Sequence, residues 1–127
     1  MKEECKILIV DDDFRNIFAL SAVLKSKGYP SLSADSALSG IQLLRASKDF
    51  GVVLLDMMMP EMDGYEAISI IRKTKEIASI PIIAVTAQAM PGDKEKCLAA
   101  GADAYLSKPV DVDQLLQILK NYQKSGE

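Results

Sequence analysis

Carboxylate side chains that could do chemistry stand directly after short apolar runs in this sequence. Asp56 follows the apolar residues 52–55, and Asp11 and Asp12 follow the apolar residues 7–10. A run this short, rich in Val, Ile and Leu, predicts a strand buried on both faces. In a parallel sheet covered by helices, ligands bind at the carboxyl ends of the strands. These three carboxylates are therefore candidates for one functional site.

A hydroxyl and an ammonium group occupy the equivalent positions in two further predicted strands. Thr86 ends a strand that begins at Pro81, and Lys108 follows a short strand at residues 103–106. A parallel sheet brings all these strand ends to one edge. If the first and third strands are neighbours, their carboxylates lie within a few ångströms of each other. Two like charges ~4 Å apart cost about 4 kcal/mol at an effective dielectric constant of ~20.

That repulsion must be offset by a cation. Oxygen ligands without a nearby His or Cys suit a hard ion such as Mg²⁺, and Lys108 can add a second positive charge. Metal, ammonium and hydroxyl groups beside a carboxylate match the needs of phosphoryl transfer, with Asp56 as the attacking group and Thr86 bonding a phosphoryl oxygen. The chain has no histidine, which excludes histidine triads and imidazole bases within it.

The elements that must position these groups alternate regularly. The apolar runs and amphipathic stripes predict five strands and five helices in strict alternation, with strands at 7–10, 31–34, 52–56, 81–86 and 103–106. Helix caps are predicted at Asp35 or Ser36, at Asp63 and at Asp111, and Asp13 is expected to be a loop or helix-cap carboxylate. The fourth helix, within 91–100, has a thin apolar stripe and is expected to be the least firmly held. The pattern predicts an α/β, doubly wound parallel sheet with helices on both faces. We expect one domain over 1–127, with a core of about 5–123 and a frayed end from Gln123.

Composition excludes several classes of partner. The 127 residues carry a net charge of −3, which does not favour nucleic acid or an anionic membrane. No apolar run approaches the ~20 residues of a spanning helix, and the first residues lack an apolar signal core, so we expect a cytoplasmic protein. Cys5 and Cys97 are too few for a disulfide framework and are expected to be free thiols.

Five motifs, in order and spacing, resemble the receiver domain of two-component response regulators over essentially the whole chain. They are Val10-Asp11-Asp12, the segment from Leu55 to Gly64, Thr86-Ala87, the segment from Ala100 to Tyr105, and Lys108-Pro109. The resemblance implies a flavodoxin-like (βα)5 fold with strand order 2-1-3-4-5. It also implies a cis peptide bond before Pro109.

The resemblance implies a role for each matching position. Asp56 would accept a phosphoryl group from a phosphohistidine, and Asp12 and Asp56 would bind Mg²⁺ directly together with the backbone carbonyl of Met58. Asp11 would bind the ion mainly through water. Thr86 and Lys108 would hold phosphoryl oxygens, and Tyr105 would be the aromatic switch that turns inward.

The implied partners are a sensor histidine kinase or phosphotransfer domain and a downstream effector that reads the surface of the fourth helix, fifth strand and fifth helix. The chain would be a signalling domain and not a turnover enzyme. Its motifs look more like receivers of hybrid sensor kinases than like those that drive DNA-binding domains. A stand-alone regulator fits equally.

Three alternatives remain. Asp11 and Asp13 have the spacing of the two aspartates in haloacid dehalogenase-type phosphatases, although no cap domain is evident. A flavin-binding electron carrier could share the fold, but three aspartates after the first strand would repel its phosphate. The third alternative is a receiver that docks partners without being phosphorylated.

Overall fold

The computed structural model describes residues 6–87 and 90–125, in which five strands and five helices alternate. The strands are β1 (Lys6–Val10), β2 (Ser31–Ala34), β3 (Phe50–Asp56), β4 (Ile82–Thr86) and β5 (Ala104–Ser107). The helices are α1 (Phe14–Ser26), α2 (Ala37–Ala46), α3 (Gly64–Lys73), α4 (Asp93–Ala100) and α5 (Val112–Ser125), with a 3₁₀ turn at Lys75–Ile77. All strand pairs are parallel, in the order β2-β1-β3-β4-β5. The predicted fold class and strand order are confirmed.

The element bounds differ from the predicted ones by one or two residues at several ends. β3 begins at Phe50 and not at Val52, while β4 begins after Pro81. β5 begins after Asp103, whose carboxylate accepts a hydrogen bond from the Ile82 amide at 2.9 Å. The helix backbone of α5 continues through Ser125, so the fraying predicted from Gln123 is wrong as far as Ser125.

Side chains cap four of the helices, three of them as the sequence predicted and the first, α1, by Asp13, which the sequence left open between a loop and a cap role. Asp13 accepts from the Arg15 amide at the start of α1, and Ser36 accepts from the Ser39 amide at the start of α2. The other two caps are Asp63 on α3 and Asp111 on α5. These carboxylate and hydroxyl groups satisfy amides that have no partner within the helix.

Two apolar layers enclose the sheet because alternate strand residues point to opposite faces. One layer packs α1 and α5 against residues such as Ile9 and Leu54. The other packs α2, α3 and α4 against residues such as Leu55 and Ala84. β2 is an edge strand with a half-exposed burial pattern, as its polar sequence predicted.

The fourth helix is short and shallowly anchored. Cys97 is the only residue of α4 (Asp93–Ala100) that is buried, whereas α3 buries four residues. Cys97 is a free thiol, and Cys5 lies outside the described residues. Within residues 6–87 and 90–125, no helix is long and apolar enough to cross a bilayer.

Candidate functional site

The register of the central strands brings two carboxylates side by side. Val10 on β1 pairs with Leu55 on β3, so Asp11 and Asp56 leave neighbouring strands at the same level. Asp11 is 3 % exposed and Asp56 is 4 % exposed. Two buried carboxylates this close are costly unless cations and hydrogen bonds stabilise them.

Backbone amides hold both carboxylates in place. The Asp13 amide donates to Asp11 Oδ1 at 2.8 Å, and the Met58 amide donates to Asp56 Oδ1 at 3.0 Å. These local bonds fix the rotamer of each side chain. Within the part of the chain that the structure describes, the second oxygen of each carboxylate, Oδ2, is contacted by side chains and not by backbone amides.

The Lys108 ammonium bridges the two remaining oxygens. Its Nζ lies 3.3 Å from Asp11 Oδ2 and 3.4 Å from Asp56 Oδ2. The Lys108 amide donates to the Thr86 carbonyl at 2.8 Å, and the peptide bond to Pro109 is cis, as the resemblance implied. The contact between Lys108 and Asp11 was not among the sequence-based predictions.

The charges of these groups perturb one another. Burial raises the pKa of Asp56, and the nearby Asp11 carboxylate raises it further, against the lowering effects of the Met58 amide and of Lys108. Burial alone would lower the pKa of Lys108, but the charges of Asp56 and Asp11 outweigh it and raise that pKa. The Asp56 carboxylate is therefore held in its charged form less firmly than an exposed one, while the ammonium stays charged.

Three carboxylates could hold a metal ion here. One oxygen each of Asp11, Asp12 and Asp56 lies within 4.8 Å of the others. We call these three residues the acidic pocket. The donors are all oxygens, Asp12 is exposed to solvent, and the ligand set suits a hard ion that keeps several waters, such as Mg²⁺. The ligand set therefore fits Mg²⁺, and the metal role of the Met58 carbonyl stays a prediction.

Thr86 and Tyr105 share one face of the sheet. Tyr105 pairs with Ala84, two residues before Thr86, and alternate residues of neighbouring strands lie on the same face. Thr86 is buried and Tyr105 is half-buried against the layer formed by α2, α3 and α4. This placement is compatible with the switch that the resemblance implies, although the switch itself stays a prediction.

Asp13 and Asn16, which follow β1, have different roles at the site. The Asp13 carboxylate caps α1 and lies 3.6 Å from Arg15 Nε, so it does not join the acidic pocket as the phosphatase alternative requires. Asn16 Nδ2 lies 3.4 Å from Asp11 Oδ2, a contact that sequence reasoning missed. The sequence did carry a signal for this contact. Asn16 lies in the first turn of a helix that begins three residues after Asp11, and a side chain in that turn can reach back to the Asp11 carboxylate.

Comparisons with known proteins agree with this site and fold. The family model for the response regulator receiver domain matches residues 7–120. The polar-differentiation response regulator DivK of Brucella ovis is 33 % identical over 116 residues, which cover 91 % of this chain and 94 % of that protein. The chain therefore belongs to the response regulator receiver domain family.

Solved structures show the same fold. The chemotaxis protein CheY4 of Vibrio cholerae has a TM-score of 0.85 and 28 % identity, covering 94 % of this chain and 98 % of that one. The receiver domain of a Pseudomonas aeruginosa sensor histidine kinase, with a magnesium ion in its active-site cleft, has a TM-score of 0.84 and 34 % identity. The match covers 94 % of this chain and 97 % of the Pseudomonas aeruginosa receiver domain.

Proposed function

We propose that this receiver domain accepts one phosphoryl group on Asp56 from a phosphohistidine of a sensor histidine kinase or phosphotransfer domain. The observation that carries the proposal is the position of Asp56, which is buried beside Asp11 and in contact with Lys108 at 3.4 Å. A carboxylate oxygen would form the new O–P bond while the N–P bond of the phosphohistidine breaks and its imidazole leaves.

The chain's own residues would orient and stabilise the transferred group. The Met58 amide holds Asp56 Oδ1, so Oδ2, which contacts Lys108, would be the attacking oxygen. Lys108 would move from this oxygen to a phosphoryl oxygen, and the Thr86 hydroxyl would bond another. Mg²⁺, bound by the acidic pocket and the Met58 carbonyl, would neutralise charge on the phosphoryl oxygens.

Exposed apolar residues on α1, the helix that follows the loop carrying Asp11 and Asp12, support a protein donor. Phe14 and Phe18, one turn apart on α1, are 77 % and 70 % exposed. Neighbouring aromatic side chains that are this exposed are typical of interaction surfaces. We propose that they contact the donor while its phosphohistidine reaches Asp56.

The output would be a change of surface. Movement of Thr86 towards the phosphoryl group would draw Tyr105 inward. Because Cys97 is the only buried residue of α4, this helix could shift at a low cost in free energy. A downstream effector would read the face made by α4, β5 and α5. The chain would act once per phosphorylation, as a signalling domain and not as a turnover enzyme, and its cytoplasmic location stays a prediction.

Incubation with acetyl phosphate and Mg²⁺, followed by intact mass measurement, tests the proposal. Wild type is expected to gain one phosphoryl group, and Asp56→Asn none. Removal of Mg²⁺ by EDTA is expected to suppress the gain. Uptake of a phosphoryl group by Asp56→Asn at the wild-type rate would refute the role of Asp56. Steady turnover of a small phosphate ester would favour the phosphatase alternative.

A further inference from the structure

An apolar cavity of about 200 Å³ extends from the acidic pocket back along the sheet. It lies between α1 and the segment that joins β5 to α5. Ala19, Leu20 and Val23 line it from α1, and Val110 and Val112 line it from the opposite side. The floor is formed by strand residues, such as Ile9 and Leu54, of the apolar layer that packs against α1 and α5.

The walls of this cavity are incompletely covered. Ala19 is exposed, and Leu20, Val23, Val110 and Val112 are only half-buried. An apolar space of roughly 150 Å³ is enough to bind a benzene-sized molecule. The cavity is thus large enough for one small aromatic or branched alkyl group. Such a group would gain binding free energy by removing the apolar surface of these side chains from water.

One end of the cavity is charged. Asp11, Asp56 and Lys108 line it there, and Asn16 adds a polar amide. Two carboxylates and one ammonium leave a net charge of −1 at that end. A cationic group entering from the apolar side would therefore be attracted, whereas an anionic one would meet both carboxylates.

We propose that this cavity is a second ligand site, which takes a small molecule with an apolar body and an ammonium group. The body would lie against Leu20, Val23 and Val110, and the ammonium would lie beside Asp11 and Asp56. Such a ligand would occupy the end of the cavity that adjoins the phosphoacceptor. This site does not depend on phosphoryl transfer for its existence.

Benzylamine, which is protonated at neutral pH, is a suitable probe for the wild-type chain in metal-free buffer. Binding is followed by protein NMR shifts. We expect saturable shifts at Leu20, Val23 and Val110 with a Kd on the order of 1 mM. Benzyl alcohol, which has the same body without the charge, is expected to bind at least about fivefold more weakly. Methylamine, which has the charge without the body, is expected to produce no saturable shifts at these residues.

A matched pair of variants on α1 tests the location. Ala19→Leu adds apolar volume at the cavity and is expected to weaken benzylamine binding at least about fivefold. Ala22→Leu makes the same change at an exposed position of the same helix that does not line the cavity, and is expected to bind like wild type. Circular dichroism and thermal unfolding establish that both variants fold.

Several outcomes would overturn the proposal, and the first two need only the wild-type chain. If benzylamine and benzyl alcohol bind equally, the charged end plays no part and the proposal is overturned. If the benzylamine shifts map elsewhere, or if methylamine gives the same shifts, the apolar body has no site here. Equal binding by Ala19→Leu and Ala22→Leu would also overturn the proposal. None of these results bears on phosphorylation of Asp56, which the mass measurement tests separately.

Discussion

Asp56 carries its negative charge at a position where two effects oppose that charge. Burial removes water from the carboxylate, and Asp11 lies beside it with a second negative charge. Lys108 and the Met58 amide compensate only in part, since the pKa of Asp56 remains raised. Residues that prepare a functional site in this way often reduce the stability of the fold.

Replacing the charged acceptor should therefore stabilise the chain. We expect Asp56→Asn to raise the free energy of unfolding by about 1 kcal/mol at pH 7 in metal-free buffer, because the amide fills the same space without the opposed charge. Urea unfolding measures the change. Asp49→Asn, at an exposed aspartate, is the control and is expected to change the free energy by less than about 0.5 kcal/mol. A loss of stability in Asp56→Asn would contradict the argument.

The same pKa shift predicts a pH dependence. Since the folded pKa of Asp56 is raised above its ordinary value of 3.8, the folded chain keeps this proton to a higher pH than the unfolded chain does. This contribution to stability is fully present below 3.8 and is lost as the pH rises through the folded pKa. The advantage of Asp56→Asn over wild type should accordingly shrink when unfolding is repeated near the ordinary value. An advantage that grows at low pH would contradict the direction of the shift.

At the scale of elements, Arg72 ties three segments together at the amino ends of β4 and β5, whereas Lys108 follows the carboxyl end of β5. Its guanidinium donates to the Ala78 and Ile80 carbonyls at 2.8 and 2.7 Å, and to the Gly101 carbonyl through two nitrogens. It also donates to Asp103 Oδ2 at 3.0 Å. One side chain thus joins the end of α3 to the segments that lead into β4 and β5.

A lysine cannot reproduce this fork of donors. We expect Arg72→Lys to lower the free energy of unfolding by about 2 kcal/mol, because several carbonyl groups lose a charged partner while the net charge is unchanged. Chemical denaturation measures the loss. Arg45→Lys, at an exposed position near the end of α2, is the matched control and should leave stability within about 0.5 kcal/mol. Equal effects of the two variants would show that the network contributes little.

The helices also differ in how firmly they are held. α4 buries Cys97 alone, and its N-cap residue, Gly92, offers no side-chain hydrogen bond. By contrast, α3 buries four residues and is capped by Asp63. We expect the amides of α4 to exchange with solvent at least about tenfold faster than those of α3, because fewer apolar contacts oppose its local opening. Hydrogen exchange measured by NMR compares the two helices in one sample. Equal protection would refute a weakly held α4.

At the scale of the whole molecule, donor recognition and chemistry can be separated. We expect Phe18→Ala to slow transfer at least about tenfold from any phosphohistidine domain that phosphorylates the wild type, since exposed aromatic anchors carry much of a binding energy. Uptake from the small donor phosphoramidate should be unchanged. Leu32→Ala, at another exposed apolar residue on the edge strand β2, should affect neither reaction. Equal loss with both donors would place Phe18 in the chemistry and not in docking.

The sequence by itself determined the elements and the edge at which functional groups meet. Strand runs, amphipathic stripes and caps such as Ser36 and Asp63 depend on neighbours close in the chain, so they can be predicted locally. The positions of Asp11 and Asp56 at strand ends followed from the same local pattern. Errors were confined to element ends such as Asp103, whose side chain accepts a hydrogen bond from the amide of Ile82, the first residue of the neighbouring strand β4.

Only the tertiary structure decided which groups touch. The bridge from Lys108 to both Asp11 and Asp56, the five bonds of Arg72 and the cavity beside α1 join residues far apart in the chain. Such contacts depend on strand order, register and helix packing at once, and no local pattern encodes distances of 3 to 4 Å between separate elements. The physical reason is that side-chain type is local information, whereas charge pairing and unfilled volume are properties of the packed molecule.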